Sequence, residues 1–453
     1  MFVNTSLLKE AMQPYYETML QAERDIWAHP ETGYREWYAH GYLKELFEEM
    51  GYDLTLAGNI PGFYTDLDSG NPGPTIAVMA ELDSVLCANH PESNLETGAV
   101  HACGHHAQCA ALLGIAYALR DPRLLSRMHG KIRFVAVPAE ELLELGCRAE
   151  LKKQGIIRYF GGKVEFMYRG YFDDVDVALM VHTTGSGNGL IGFPLGSNGC
   201  LSKTIKFEGK AAHAGGAPHE GINAFYAATL GINAINALRE TMQDNDHIRI
   251  HPIMISAGAA VNVIPESAEL ESYVRGASLE AMVEANEKVN RALAASAVAM
   301  GANVTLSDLM GYFPLHPDKN FHALAYEYAC HLVGKEEVND SKEWGTGCTD
   351  MGDVASVIPS LHPYVSGAIG TGHGADYYIE NPEEAVILSA EFQSGLIYTL
   401  LCNKAKHAYA IKENANLQFD SIADYFEMAD SIEMERQAVA YEKDGSATLR
   451  WKK

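Results

Sequence analysis

Between residues 5 and 50, apolar side chains recur at helical spacing: Leu7, Leu8, Met12, Tyr15, Met19 and Leu20, then Tyr42, Leu43, Leu46 and Phe47. His29-Pro30-Glu31-Thr32-Gly33 interrupts the run, since proline and glycine punctuate helices. Short continuous apolar stretches follow and predict strands. Residues 74–80 run into Glu81-Leu82-Asp83, 131–137 end in Pro138-Ala139-Glu140-Glu141, and 175–181 end in His182. Residues 104–120 predict a helix with Ala110, Leu113, Ile115 and Leu119 for its buried side. Strands alternating with helices imply an α/β sheet, whose site lies beyond the carboxyl ends of the strands. The acidic and imidazole residues stand at those ends.

The texture changes near 200. Strands are predicted at 202–208, 250–257, 267–275 and 302–308, and helices at 221–240 and 279–300. That β-α-β-β-α-β order is the ferredoxin-like pattern. It predicts an inserted domain over 201–309, between catalytic parts at 1–200 and 310–453. After 310 the apolar stretches 354–358 and 364–369 lead to Thr371-Gly372-His373-Gly374. Residues 383–401 read as a helix, and the charged tail 404–453 as partly helical.

Bulk properties narrow the classes. At 453 residues the chain is too long for one ordinary core, and two or three domains are expected. Lys plus Arg is 34 against 59 for Asp plus Glu, a net charge of −25. Such a field repels nucleic acid and anionic membrane surfaces. No run of about 18 apolar residues is seen, so no membrane span is expected. The eight cysteines are scattered with no CxxC pair, which suits a reduced cytoplasm.

The candidate chemistry lies in residues far apart in the chain. Cys103 and His105 alone would be explained by core burial. With Glu141, His182 and His373 they supply five donors of the N, O and S kind that zinc or manganese binds. Two cations about 3.5–4 Å apart need five or six donors, some bridging, and a thiolate can bridge. Glu140, beside a ligand, is placed to act as general base toward water. Asp83 is expected to accept from a ligand histidine N–H, or else to cap a turn.

His101-Ala-Cys-Gly-His105, Pro138-Ala-Glu-Glu141, Gly209-Lys-Ala-Ala-His213 with Pro218-His219, Asn262-Val-Ile-Pro265 and Arg275-Gly276 together resemble the aminoacylase/carboxypeptidase-type metallo-amidohydrolases. The nearest branch is that of hippurate hydrolase and auxin-conjugate amidohydrolases. Gly347–354 resembles members of the p-aminobenzoyl-glutamate hydrolase type. The resemblance spans about residues 10–400. It implies a metallopeptidase-like mixed-sheet catalytic domain with a ferredoxin-like lid and dimerisation domain. It implies two divalent ions (zinc, manganese, cobalt or nickel) on Cys103, His105, Glu141, His182 and His373, with Glu140 as base. It further implies His213 at the scissile carbonyl, usually of the partner subunit, and Asn262 and Arg275 on a free carboxylate. A homodimer or higher homo-oligomer is expected. The family's usual Asp at 81, Asp at 106 and His at 108 are here Glu81, His106 and Gln108, at positions expected close to the site.

The expected reaction is hydrolysis of the amide of an N-acyl amino acid or dipeptide-like molecule. Alternatives are a dipeptidase or carboxypeptidase, or a non-catalytic metal- or ligand-binding relative. A nucleophilic Cys103 would leave Glu140, Glu141 and His182 without a purpose.

Overall fold

The strand Thr75–Glu81 is buried at every position, as its unbroken apolar sequence requires of a strand covered on both faces. It is the fourth of six in a mixed sheet ordered Thr55–Leu56, Phe63–Asp68, Lys131–Val137, Thr75–Glu81, Val177–Leu179 and Ser360–Leu361. The last four run parallel, and Phe63–Asp68 pairs antiparallel with Lys131–Val137. Their carboxyl ends therefore point the same way. These descriptions come from a computed structural model covering residues 5–452 apart from 186 and 188.

The chain divides into two units. The first comprises Met1–Gly196, His316–Trp344 and Asp353–Ile422. Its central helix, His105–Leu119, is buried at every position but Tyr117. One buried face was expected. The helix lies instead between strand Thr75–Glu81 and helices Tyr16–Trp27 and Ser389–Glu413, so its alanines pack on every side. A second sheet pairs His182–Gly185 in parallel with Tyr364–Ile369. The span Glu383–Glu413 is long and apolar enough to cross a membrane, a feature the sequence reading had not noted. Its most apolar window is 89% buried within the protein, as the core helix of a folded domain also is.

The second unit comprises Ser197–Leu315, Gly345–Gly352 and Ala423–Lys453. Its antiparallel sheet runs Ile253–Ser256, Ser267–Gly276, Gly199–Glu208, Asn303–Tyr312, the ferredoxin-like arrangement. Helices Ala224–Ala237 and Leu279–Ala299 pack against it, capped by Asn223 and Ser278. The boundaries expected at 200 and 309 fall at 196 and 315. The tail needs a larger correction. Residues 423–453, expected with the catalytic part, join the second unit. Met434–Gln437 pairs with the edge strand Asn303–Tyr312, and a hairpin, Val439–Tyr441 with Ala447–Leu449, follows. An open sheet edge offers unpaired backbone donors and acceptors, and the tail satisfies them.

Candidate metal centre

Three parallel strands deliver the donors. Thr75–Glu81 ends in Glu81 and leads to Asp83, Lys131–Val137 leads to Glu140 and Glu141, and Val177–Leu179 leads to His182. Cys103 and His105 enter from the start of the central helix, across Gly104. That glycine has φ +91, and a Cβ there would collide with Thr183 Oγ1 and the Tyr377 hydroxyl. His373 comes from the loop after Tyr364–Ile369. Its backbone N–H donates to the Ala102 carbonyl at 2.8 Å, which places it beside Cys103.

The five predicted donors fall into two groups sharing one residue. Cys103, His105 and His182 have donor atoms within 4.8 Å of one another, as do Cys103, Glu141 and His373. Cys103 Sγ is 3.4 Å from His182 Nε2, and His373 Nε2 is 2.9 Å from Glu141 Oε1. A thiolate common to two triplets has the placement a bridging ligand needs. Glu140 forms a third group with Glu81 and His105.

Outer partners fix the imidazoles. His105 Nδ1 lies 2.9 Å from the Asp83 carbonyl and 3.1 Å from Asp83 Oδ1. It therefore donates there, which leaves Nε2 as the nitrogen a metal ion would take. Asp83 Oδ2 also accepts the Glu141 N–H at 2.7 Å, so one carboxylate orients two donors. His182 Nδ1 is 2.8 Å from the Thr183 carbonyl, which again frees Nε2. Arg148 donates to the carbonyls of Ala139, Glu141 and Phe160, clamping the Glu140-Glu141 loop. Glu36 accepts the Ala139 N–H at 2.7 Å.

The electrostatics call for positive charge. Burial and Glu141 push the Cys103 thiol up, but His105 and His182 outweigh them and hold it down at about 6. Burial opposes charge on His105, yet Cys103 and Glu81 raise it well above the usual range. Glu141, despite burial, is held down at about 2 by His373 and His105. His105 Nε2 is buried and has no partner in hydrogen-bond geometry among the described residues. An orphaned imidazole nitrogen, a thiolate and carboxylates in one pocket are donors that fit divalent cations.

The departures also take their places. His106 turns away from this cluster, its Nε2 3.2 Å from Glu23 and its ring against Trp27 and His101. Gln108 grips Glu81: it accepts the Glu81 N–H at 3.1 Å and donates to Glu81 Oε2 at 2.9 Å. Lys163, fully buried, donates to Glu81 Oε1 at 2.5 Å. Lys163 and Arg148 were missed by sequence reasoning. A lysine within the mostly apolar Gly162–Tyr168 was the one available signal.

His213, Asn262 and Arg275 belong to the second unit. His213 Nδ1 accepts the N–H groups of Gly215 and Gly216, at 3.2 and 2.9 Å. Its exposed Nε2 is thereby the donor nitrogen. Residues 213 and 263 form a backbone bridge, which holds the His213 turn beside exposed Asn262. Arg275 lies on Ser267–Gly276 opposite Cys200, with its guanidinium 5.4 Å from the Tyr273 ring centre.

A mixed sheet with donors at its strand ends, joined to a ferredoxin-like domain, defines a metallopeptidase-like hydrolase class. Residues 195–300 match the peptidase dimerisation domain family. A Xaa-Arg dipeptidase of Mus musculus is 29% identical over 395 residues, covering 84% of this chain and 82% of its own. The indole-3-acetyl-aspartic acid hydrolase of Enterobacter agglomerans is 26% identical over 391 residues, 74% and 84% of the two chains. A dinuclear metal-binding M20-family peptidase of Bacillus subtilis shares the fold at TM-score 0.64 and 21% identity, over 86% of this chain and 99% of that one. Residues 195–300 thus carry the M20 peptidase dimerisation domain, and across most of its length the chain is similar to metal-dependent amidohydrolases and peptidases.

Proposed function

We propose that the protein hydrolyses the amide bond of an N-acyl amino acid or dipeptide-like substrate with a free carboxylate. The observation that carries this is the pair of donor triplets sharing Cys103, with Glu140 next to Glu141. Cys103, His105, Glu141, His182 and His373 would hold two divalent ions. Bound there, such ions would supply Lewis acidity, acidifying water and polarising a carbonyl. Glu140 takes the proton of the attacking water and passes it to the leaving amine. Asp83 keeps His105 in the required tautomer. His213, its Nδ1 occupied by two backbone donors, offers Nε2–H to the developing oxyanion of the partner subunit's substrate. Arg275 and Asn262 bind the substrate carboxylate.

The second unit supports a homodimer. Phe225, Tyr226 and Leu230 on one helix and Ile253 and Ile255 on an edge strand are exposed. The Phe225 and Tyr226 rings lie 5.7 Å apart, and neighbouring exposed apolar side chains mark interaction surfaces. The eight free thiols suit a reducing, cytoplasmic setting. A dipeptidase is the second reading, favoured by the likeness to a Xaa-Arg dipeptidase.

The test joins metal analysis to a screen of N-acyl amino acids and dipeptides, with and without a chelator. Glu140→Gln should keep the metal and lose roughly 10²–10⁴-fold in kcat. Undiminished turnover would remove Glu140 as the base.

A further inference from the structure

Cys200 and Cys348 stand 148 positions apart in the sequence, and the fold of the second unit brings them together. That unit includes Gly345–Gly352, although the chain on either side of this segment belongs to the first. The segment is pinned at both ends. Gly345 bridges Ser197 in parallel, and its carbonyl accepts the Asn198 N–H at 3.0 Å. Gly352 packs so close to the Phe313 carbonyl that a Cβ there would collide with it. Phe313 follows Tyr312, the residue opposite Cys200 on the neighbouring strand. A segment held beside Ser197 at its start and beside Phe313 at its end passes over Cys200. Three residues on from the Ser197–Gly345 bridge, both chains reach a cysteine, and the two thiols are in hydrogen-bond contact. Thiols so placed need only a small approach to reach the roughly 2.05 Å of an S–S bond.

The two thiols differ in access. Cys348 is half-buried and follows the exposed Gly347, whereas Cys200 is wholly buried. Its contact with Cys348, and then burial, push the Cys200 thiol well above the usual range, against the pull of Arg275. Cys348 is therefore the thiol that an outside reagent meets first. Arg275 stands opposite Cys200 on the other neighbouring strand, and residues opposite each other in a ladder have their side chains on one face. Positive charge on that face stabilises the thiolate through which Cys200 must pass to attack a sulfur.

We propose that Cys200 and Cys348 are a redox modification site, a dithiol that closes reversibly to a disulfide by exchange with a low-molecular-weight disulfide of the glutathione class. The Cys348 thiolate attacks one sulfur of that disulfide, breaks its S–S bond and releases one thiolate. Cys200 then gives up its proton, attacks the Cys348 sulfur of the mixed disulfide and releases the second thiolate. One small disulfide is reduced to two thiols, and two protein thiols are oxidised to one disulfide. The link fastens Gly345–Gly352 covalently to the strand Gly199–Glu208. None of the metal donors takes part, so the inference stands apart from the hydrolytic reading.

The test is a disulfide map of the full chain, purified without chelator and equilibrated in glutathione buffers of increasing oxidised share. Free thiols are alkylated, the protein is digested without reductant, and the peptides are identified by mass spectrometry. A peptide pair linked through Cys200 and Cys348 should appear, grow with the oxidised share and vanish with dithiothreitol. Exposed Cys147 should carry glutathione as a mixed disulfide and so report that the oxidant acted. Cys147 modified while Cys200 and Cys348 are both recovered free overturns the inference. So does Cys348 carrying glutathione that Cys200 never displaces. The fold must be what joins the pair, so the link should form faster in the folded protein than in urea, and equal rates overturn the inference. Cys200→Ala should trap Cys348 as a stable mixed disulfide, and Cys348→Ser should lose the link and leave Cys200 free. A Cys200→Ala protein whose Cys348 stays unmodified contradicts the proposed order of attack and overturns the inference.

Discussion

Gly104→Ala tests whether the donor positions depend on the backbone between Cys103 and His105. Gly104 has φ +91, where an L side chain costs roughly 1–2 kcal/mol. Its Cβ would also overlap Thr183 Oγ1 and the Tyr377 hydroxyl, which bond each other at 3.0 Å. Overpacking a tight interior typically adds about 1–3 kcal/mol. The sum, about 2–5 kcal/mol, would lower stability in urea without abolishing the fold. The larger effect falls on the site. Relief requires the helix start to move away from Thr183 by something on the order of 1 Å, whereas ligand distances tolerate about 0.2 Å. Metal content should therefore drop further than stability does. Gly155→Ala is the matched control: it shares a positive φ, +72, with nothing within 4 Å of the added Cβ. It should lose about 1–2 kcal/mol and keep its metal. Urea midpoints and metal analysis of both variants decide the matter. A Gly104→Ala protein loaded like the wild type would refute the reasoning.

Cys103→Ser should deplete both equivalents of metal, because Cys103 belongs to both triplets; loss of one alone would show that the thiolate does not bridge. Chelation should leave far-UV circular dichroism unchanged and lower the unfolding midpoint only by the binding term; a cooperative loss of helix on chelation would contradict this. His40 is buried and accepts the Gly62 N–H at 2.9 Å; burial, with Lys44 adding to it, holds its pKa below 6.5. The unfolded chain then binds the extra proton, so this contribution is fully present above about pH 6.5 and is lost as pH falls below it. His40→Asn, which keeps an acceptor and does not titrate, should flatten that stretch of the urea-midpoint profile, and an unaltered slope would exclude His40 as its source.

What could be read in the sequence was local. Apolar runs that stop abruptly at charged residues mark buried strands with polar ends, so Glu81, Glu140, Glu141 and His182 were visible as strand-end residues. The βαββαβ order was readable because period-two and period-3.6 patterns alternate over 199–312. Lys163 escaped because its partner Glu81 is 82 positions earlier, and a lysine in a mostly apolar helix signals burial without naming that partner. The strand at Met434–Gln437 escaped for the same reason. Its charged sequence reads as tail until it meets the open edge of Asn303–Tyr312. Non-local pairing, not local propensity, decides both.

Backbone strain at the centre shows how the donors are held. Ala139 and His373 have φ of +58 and +63, a region that costs a non-glycine residue of order 1–3 kcal/mol. Each is over-determined by its neighbours. Ala139 gives its N–H to Glu36 and its carbonyl to Arg148 and to the Gly162 N–H. His373 is tied through its own N–H to Ala102. None of these restraints is itself a metal-donor atom. The strained turns before Glu140 and at His373 are therefore held by hydrogen bonds to buried partners, and the stability that offsets the strain comes from the packed sheet and helix behind them. A site built this way would bind ions in a frame that already exists, so metal affinity and fold stability should respond to different substitutions. Gly104→Ala and Gly155→Ala differ in that respect: the first strains and displaces the donors, and the second strains only the chain.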